Sequence, residues 1–186
     1  MAENEIKTKR LFIGTFIDRK IFDPIYPEIQ NDFSSVISGK WVEPENLHFT
    51  YKFLGAVEET KIPEIEDALS DYLITFNSSF EFNKIGVFPN PREANILWLG
   101  LFNPDRKVFD IADGIDENMK TIGFKPERRK FLPHVTLIRI KKSLSSGFID
   151  ILKEYNRLDI PPMESFSVNL IESQLTPKGP IYTIIK

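Results

Sequence analysis

His48-Phe49-Thr50-Tyr51 and His134-Val135-Thr136-Leu137 are two tetrads of one pattern: histidine, apolar, threonine, apolar. They use up the only two histidines of the 186-residue chain. On a β-strand, side chains two apart share a face, so each tetrad sets an imidazole beside a hydroxyl while its apolar residues turn to the opposite, buried side. Laid close together, two such strands bring two imidazoles and two hydroxyls into one small volume, with His48 and His134 as acid and base at a single reacting centre. The repetition carries this reading. A lone histidine on an apolar strand is more often a satisfied structural residue, and threonine is at home in strands anyway, but packing alone does not call for the same tetrad twice.

Outward from the tetrads, local periodicity lays out an α+β chain. Residues 10–17 (RLFIGTFI) are a short apolar run that predicts a strand buried on both faces, central in a sheet. Residues 20–37 carry apolar side chains near helical spacing, with Pro24 and Pro27 confined to its start and Gly39 as its stop. The first tetrad lies on a strand over 47–54, and Pro63 opens a helix running to about Phe76. Strands follow over 79–88 and 96–102, separated by the loop Pro89-Asn90-Pro91-Arg92. A helix begins after Asn103-Pro104-Asp105 and ends at Gly123. The second tetrad sits on a strand over 131–140, residues 144–155 are helical, and 165–175 with 181–185 form a hairpin about Thr176-Pro177-Lys178-Gly179-Pro180. The tetrads lie nearly half a chain apart, each followed by a helix and further strands. That order predicts one two-lobed domain over 1–186, built by internal duplication, with a tetrad from each lobe at a shared cleft.

Composition narrows the chemistry. Without cysteine there is neither a disulfide framework nor a thiolate metal site, and two histidines would need carboxylates to hold zinc, so neither metal nor cofactor is expected. The polar N-terminus carries no apolar signal core, and no stretch approaches the roughly 18 apolar residues of a membrane span. A cytoplasmic protein is expected, with no membrane contact and no obligatory protein partner, as a monomer. A net charge of −3 and a pI near 5.5 argue against indiscriminate grip on long polyanions, so a nucleic-acid substrate is engaged locally, at an end.

Proton removal on one side of a centre and delivery on the other, near neutral pH, suits two groups of pKa near 6.5. Threonine hydroxyls donate to anionic oxygens without adding charge. Together these fit in-line displacement at a phosphodiester without a metal, and a strained cyclic phosphate lessens the demand for electrophilic activation.

Leu47-His48-Phe49-Thr50-Tyr51-Lys52-Phe53-Leu54-Gly55, preceded by Trp41 and Glu45-Asn46, resembles the first signature of the RNA 2′,3′-cyclic phosphodiesterases, or RNA 2′-5′ ligases, of the two-histidine phosphoesterase superfamily. Pro133-His134-Val135-Thr136-Leu137-Ile138-Arg139 is similar to the second. The likeness extends through Arg10-Leu11-Phe12-Ile13, Gly86-Val87-Phe88-Pro89, Leu97-Trp98 and Gly179-Pro180-Ile181-Tyr182, nearly the whole chain. It implies two pseudo-symmetric lobes, each an antiparallel sheet backed by helices, around a central cleft. It also implies metal-independent hydrolysis of RNA 2′,3′-cyclic phosphate ends to 2′-phosphate, reversible as 2′-5′ ligation, with His48 and His134 as acid/base pair and Thr50 and Thr136 holding phosphate oxygens. Tyr51, where the family more often has an aliphatic residue, and Ile138, in place of a small one, are expected to be packing adjustments.

Arg139 joins Thr50 and Thr136 as a candidate phosphate ligand, but strict alternation from His134 and Thr136 puts it on the wrong face, so it needs a bulge or a twist to reach the cleft. Lys125, Arg128, Arg129, Lys130, Lys141 and Lys142 form with it either an RNA-attracting patch or a solvated basic edge. Phe49, Tyr51, Phe53 and Trp98 either stack on bases or fill the core, as strand aromatics usually do. Two rival functions stand beside the main one. One is a phosphodiesterase for another 2′-linked or cyclic nucleotide, such as a 2′-5′ oligonucleotide or ADP-ribose 1″,2″-cyclic phosphate. The other is a non-catalytic module that binds RNA ends, which two imidazoles disfavour because binding alone does not need them.

Overall fold

The computed structural model describes residues 7–143, 147–177 and 179–186. The strand expected over 10–17 is β1 (Thr8–Phe16), buried from Leu11 to Thr15 and hydrogen-bonded on both edges. The helix expected over 20–37 is broken into α1 (Arg19–Phe22) and α2 (Tyr26–Ser34), because Pro24 and Pro27 interrupt the backbone ladder. Its expected tail is instead a strand, β2 (Ile37–Trp41). Gly39 is therefore not a helix stop: it lies where β2 passes so close to the main chain of Arg139 that a Cβ has no room.

The first tetrad opens β3 (His48–Glu58), longer than expected because it follows β1 to its end. The next helix, α3 (Ile62–Ala68), stops well short of Phe76, and Thr75–Phe76 form a two-residue strand, β4. Then come β5 (Glu81–Phe88), β6 (Ile96–Phe102), α4 (Lys107–Thr121) and β7 (His134–Ser143), which the second tetrad opens. Helix α5 (Phe148–Glu154) leaves the first three residues of the expected helix, 144–146, outside the described residues. Strand β8 (Phe166–Ser167) and the hairpin β9 (Asn169–Thr176) and β10 (Gly179–Ile184) complete the chain, with Lys178 of the expected turn also outside them.

Two four-stranded antiparallel sheets result, ordered β10-β9-β1-β3 and β2-β7-β6-β5, with β4 and β8 paired as a small third sheet. Helices α3 and α4 pack together, α4 against β3, while α2 and α5 pack together, α2 against β2. The lobes are not the two halves of the chain. The first half sends β2 and β5 into the sheet that holds β7, and the second half sends β9 and β10 into the sheet that holds β3. One continuous core runs beneath both sheets, with Ile13, Phe33, Phe49, Phe80, Leu99 and Leu137 all fully buried.

Candidate active site

Each tetrad is the N-terminal end of its strand, and each strand bulges at the tetrad's last residue. On β3 the rung Gly14–Thr50 is followed by Ile13–Lys52, leaving Tyr51 as an extra residue; on β7, Trp98–Thr136 is followed by Leu97–Ile138, leaving Leu137 extra. Burial shows the same phase slip in both strands: Phe49, Tyr51 and Lys52 are buried and Phe53 exposed, as Val135, Leu137 and Ile138 are buried and Arg139 exposed. A bulge shifts the alternation by one residue, which returns Arg139 to the face of His134 and Thr136. Phe53 is its counterpart on β3.

Specific partners hold each bulge. The Tyr26 hydroxyl lies 2.7 Å from the Val42 carbonyl and 3.1 Å from that of Leu137, which also accepts the Val42 N–H at 2.9 Å. At the other bulge the Tyr51 hydroxyl donates to Thr15 Oγ1 at 3.3 Å, and Thr15 donates onward to the Ser167 carbonyl at 2.8 Å. Tyr51 is therefore a packing adjustment with a polar tether, and its ring stacks on Phe131 just before the second tetrad.

The two imidazoles are oriented alike. His48 Nδ1 lies 2.6 Å from the Asn46 carbonyl and His134 Nδ1 lies 2.7 Å from that of Leu132. A carbonyl only accepts, so Nδ1 carries the proton in each and Nε2 is left to exchange one. Their surroundings differ. His48 is packed against Phe12 and edge-on to Tyr182, with ring centroids 4.9 Å away in both cases. Burial pushes its pKa below the usual histidine value; the Asn46 carbonyl opposes this, while the charges of His134 and Arg139 add to it. His134 meets Phe88 edge-on at 5.1 Å.

His48, Thr50, His134, Thr136 and Arg139 all line one cavity of about 870 Å³ between the sheets. Of the basic cluster around the second tetrad, Arg139 alone lines it. Of the four aromatics, Phe49, Tyr51 and Trp98 belong to the core and Phe53 faces the cavity. Sequence reasoning did not single out Arg10, Lys40 or Tyr182 as part of this wall. Tyr182 stands at the alternation phase that points β10 toward His48, a signal readable only once β10 is known to lie in that sheet. Among the described residues, no three His, Asp or Glu side chains converge as metal ligands.

The family model described as LigT like Phosphoesterase matches residues 27–98 and again 101–182. The RNA 2′,3′-cyclic phosphodiesterase of Methanothermobacter thermautotrophicus is 36% identical over 177 residues, 94% of this chain and 95% of that one. The protein of the same name from Methanocaldococcus jannaschii is 37% identical over 183 residues, 95% of this chain and 98% of that one. Among solved structures, a Thermus thermophilus protein superposes with a TM-score of 0.73 at 22% identity, covering 95% of both chains. E. coli LigT complexed with 3′-AMP superposes with a TM-score of 0.68 at 23% identity, covering 97% of both. The double match falls on the two halves that carry the two tetrads, and the relatives align over nearly their full length: this chain belongs to the LigT-like phosphoesterase family.

Proposed function

We propose that this phosphoesterase opens the 2′,3′-cyclic phosphate at an RNA end to a 2′-phosphate, using His48 and His134 as its acid/base pair and requiring no metal. The observation that carries the reading is the matched pair of imidazoles, each with Nδ1 tied to a main-chain carbonyl and Nε2 free, lining one cavity with Thr50, Thr136 and Arg139. His134 takes a proton from water as the water attacks phosphorus, and His48 gives a proton to the departing 3′-oxygen. Burial lowers the pKa of His48, so its imidazolium gives up a proton more readily and gains from a counter-charge beside it. The substrate's phosphate supplies that charge, and the proton then passes readily to the leaving oxygen. Thr50, Thr136 and Arg139 hold the non-bridging oxygens. With the 5′-hydroxyl of a second RNA in place of water, the same transfers join the cyclic-phosphate end to it as a 2′-5′ linkage, His134 taking the hydroxyl proton and His48 protonating the departing 3′-oxygen; run backward, they cleave that linkage and re-form the cyclic phosphate.

We further read residues 1–186 as one domain of two pseudo-symmetric lobes descended from a duplicated unit. The matching bulges and the double family match support this. We place the protein in the cytoplasm as a monomer; no helix among the described residues is long and apolar enough to cross a membrane.

The test is incubation with an RNA ending in a 2′,3′-cyclic phosphate, in EDTA, followed by location of the product phosphate. A 2′-phosphate is expected. Strict dependence on an added divalent ion overturns the mechanism, and a 3′-phosphate reverses which oxygen leaves.

A further inference from the structure

The acid/base pair, two hydroxyls and Arg139 account for one end of the cavity, but the cavity continues past them. Its volume of about 870 Å³ is near the upper end for a small-molecule pocket. The register of β1 against β3 gives the direction: the rung Gly14–Thr50 lies at the reacting end, Phe12–Phe53 comes next, and Arg10–Ala56 lies beyond. At the rise of a β-strand, the Arg10 Cα stands about 13 Å along β1 from the Gly14 rung. An arginine side chain reaching back shortens that gap to the span of one nucleotide. Along the way the wall is apolar and open, with Phe53 69%, Leu175 72% and Ile181 54% exposed. Open apolar walls suit ribose and base; a guanidinium past them suits an anion.

Arg10 is exposed, lines the cavity, and makes no ion pair or hydrogen bond among the described residues. The hydroxyl of Tyr182 feels the positive charge of both Arg139 and Arg10, so two guanidiniums approach one phenol from within the same cavity. The acids of the cavity, Glu43 and Glu45, sit toward the other rim, where their charges act on Tyr26 and Arg19. One guanidinium is matched by the cyclic phosphate. The other calls for a second anion one nucleotide away.

We propose that Arg10 binds the 5′-phosphate of the terminal nucleotide, the phosphodiester that in RNA joins it to its upstream neighbour. The cleft is thereby built for a chain end and discriminates against a free cyclic mononucleotide. This rests on the cyclic-phosphate reading above. Two probes isolate the contact, adenosine 2′,3′-cyclic phosphate and the same compound carrying a 5′-phosphate, since they differ by one anion and nothing else. The 5′-phosphorylated probe is expected to show a kcat/KM about tenfold higher, the scale of one charge-assisted hydrogen bond. In Arg10→Gln that ratio falls to about one; in Arg10→Lys part of it returns. Added salt erodes the wild-type ratio. Because each ratio is taken on one sample, partial misfolding of a variant cancels. Equal rates on both probes in wild type, or a preference that survives in Arg10→Gln, overturns the proposal while leaving the cyclic-phosphate reading intact. Failure of wild type to open either probe overturns that reading and this proposal with it.

Discussion

His48 is partly buried, which disfavours its charged form and has a cost measurable apart from catalysis. Its folded-state pKa is depressed below the ordinary value of about 6.5. Its contribution to stability is therefore complete above that pH and lost as pH falls toward the folded-state value. The thermal stability of His48→Gln is expected to fall less steeply than that of wild type between pH 7 and pH 5; identical slopes would show that His48 binds its proton equally well folded and unfolded, so that folding does not depress its pKa. In activity, His48→Ala and His134→Ala are each expected to lower kcat by roughly 10²–10⁴, the scale of a lost general acid or base. Thr50→Ala and Thr136→Ala are expected to cost about 10–100-fold, one hydrogen bond to a charged group. A steady-state assay on a cyclic-phosphate RNA end checks both. All four residues are legible in the sequence because a strand's alternation of two is local information. Arg139 was legible only conditionally, since the bulge at Leu137 that turns it into the cavity depends on a ladder with β6 that no local pattern announces. Phe53 as its counterpart on β3 follows from the same bulge and was equally hidden.

Among the elements, β2 shows where local pattern misleads. Ile29, Phe33, Val36 and Ile37 keep helical spacing, yet Ile37 is already in a strand, because pairing with β7 and closure of the sheet outweigh one more turn of helix. Strands β4 and β8 are two residues each, too short for any periodicity to reveal. At the β2–β7 crossing, Gly39→Ala is expected to destabilise the protein by about 1–3 kcal/mol and to lower activity with it, since the added methyl displaces the main chain that carries Arg139. Urea unfolding reads this directly. Strand β3 carries a different risk. Its Lys52 side chain is 5% exposed and is paired with Asp116 of α4, whose carboxylate also accepts the N–H of Glu127. Burial pushes the Asp116 pKa up, but Lys52 and that N–H together outweigh it and hold the carboxyl below its usual range. The position equivalent to Lys52 on β7 is the fully buried Ile138, so the charge is not a packing requirement of the fold. Removing one partner strands the other: Lys52→Met is expected to cost about 2–3 kcal/mol, less than a fully buried pair because Asp116 is partly exposed. Adding Asp116→Asn is expected to recover part of that loss. A double variant less stable than the sum of the two singles would contradict this account of the pair.

The exchange of strands between the halves governs the behaviour of the whole molecule. The sheet with β3 depends on β9 and β10 from the far end of the chain, and the sheet with β7 depends on β2 and β5 from the first half. Unfolding is therefore expected to be one cooperative transition, with far-UV circular dichroism and tryptophan fluorescence coincident in urea; two separated transitions would mean that the lobes fold independently. The two-lobed α+β architecture was legible from the order of elements and the doubled tetrad, but the exchange was not, because long-range pairing leaves no trace in local periodicity. It is this arrangement that sets His48 and His134, distant in sequence and on different sheets, into one cavity. The measurement that tests their joint action most directly is the pH dependence of turnover for wild type and for each histidine variant. Wild type is expected to give a bell whose two limbs belong to the coupled pair. The kcat/KM profile should lie to the acid side of the kcat profile, since bound phosphate stabilises imidazolium. His48→Ala and His134→Ala should each keep a single limb. A wild-type rate that rises without a break to about pH 10, and variants that lose no limb, would mean that hydroxide rather than a histidine pair carries the reaction.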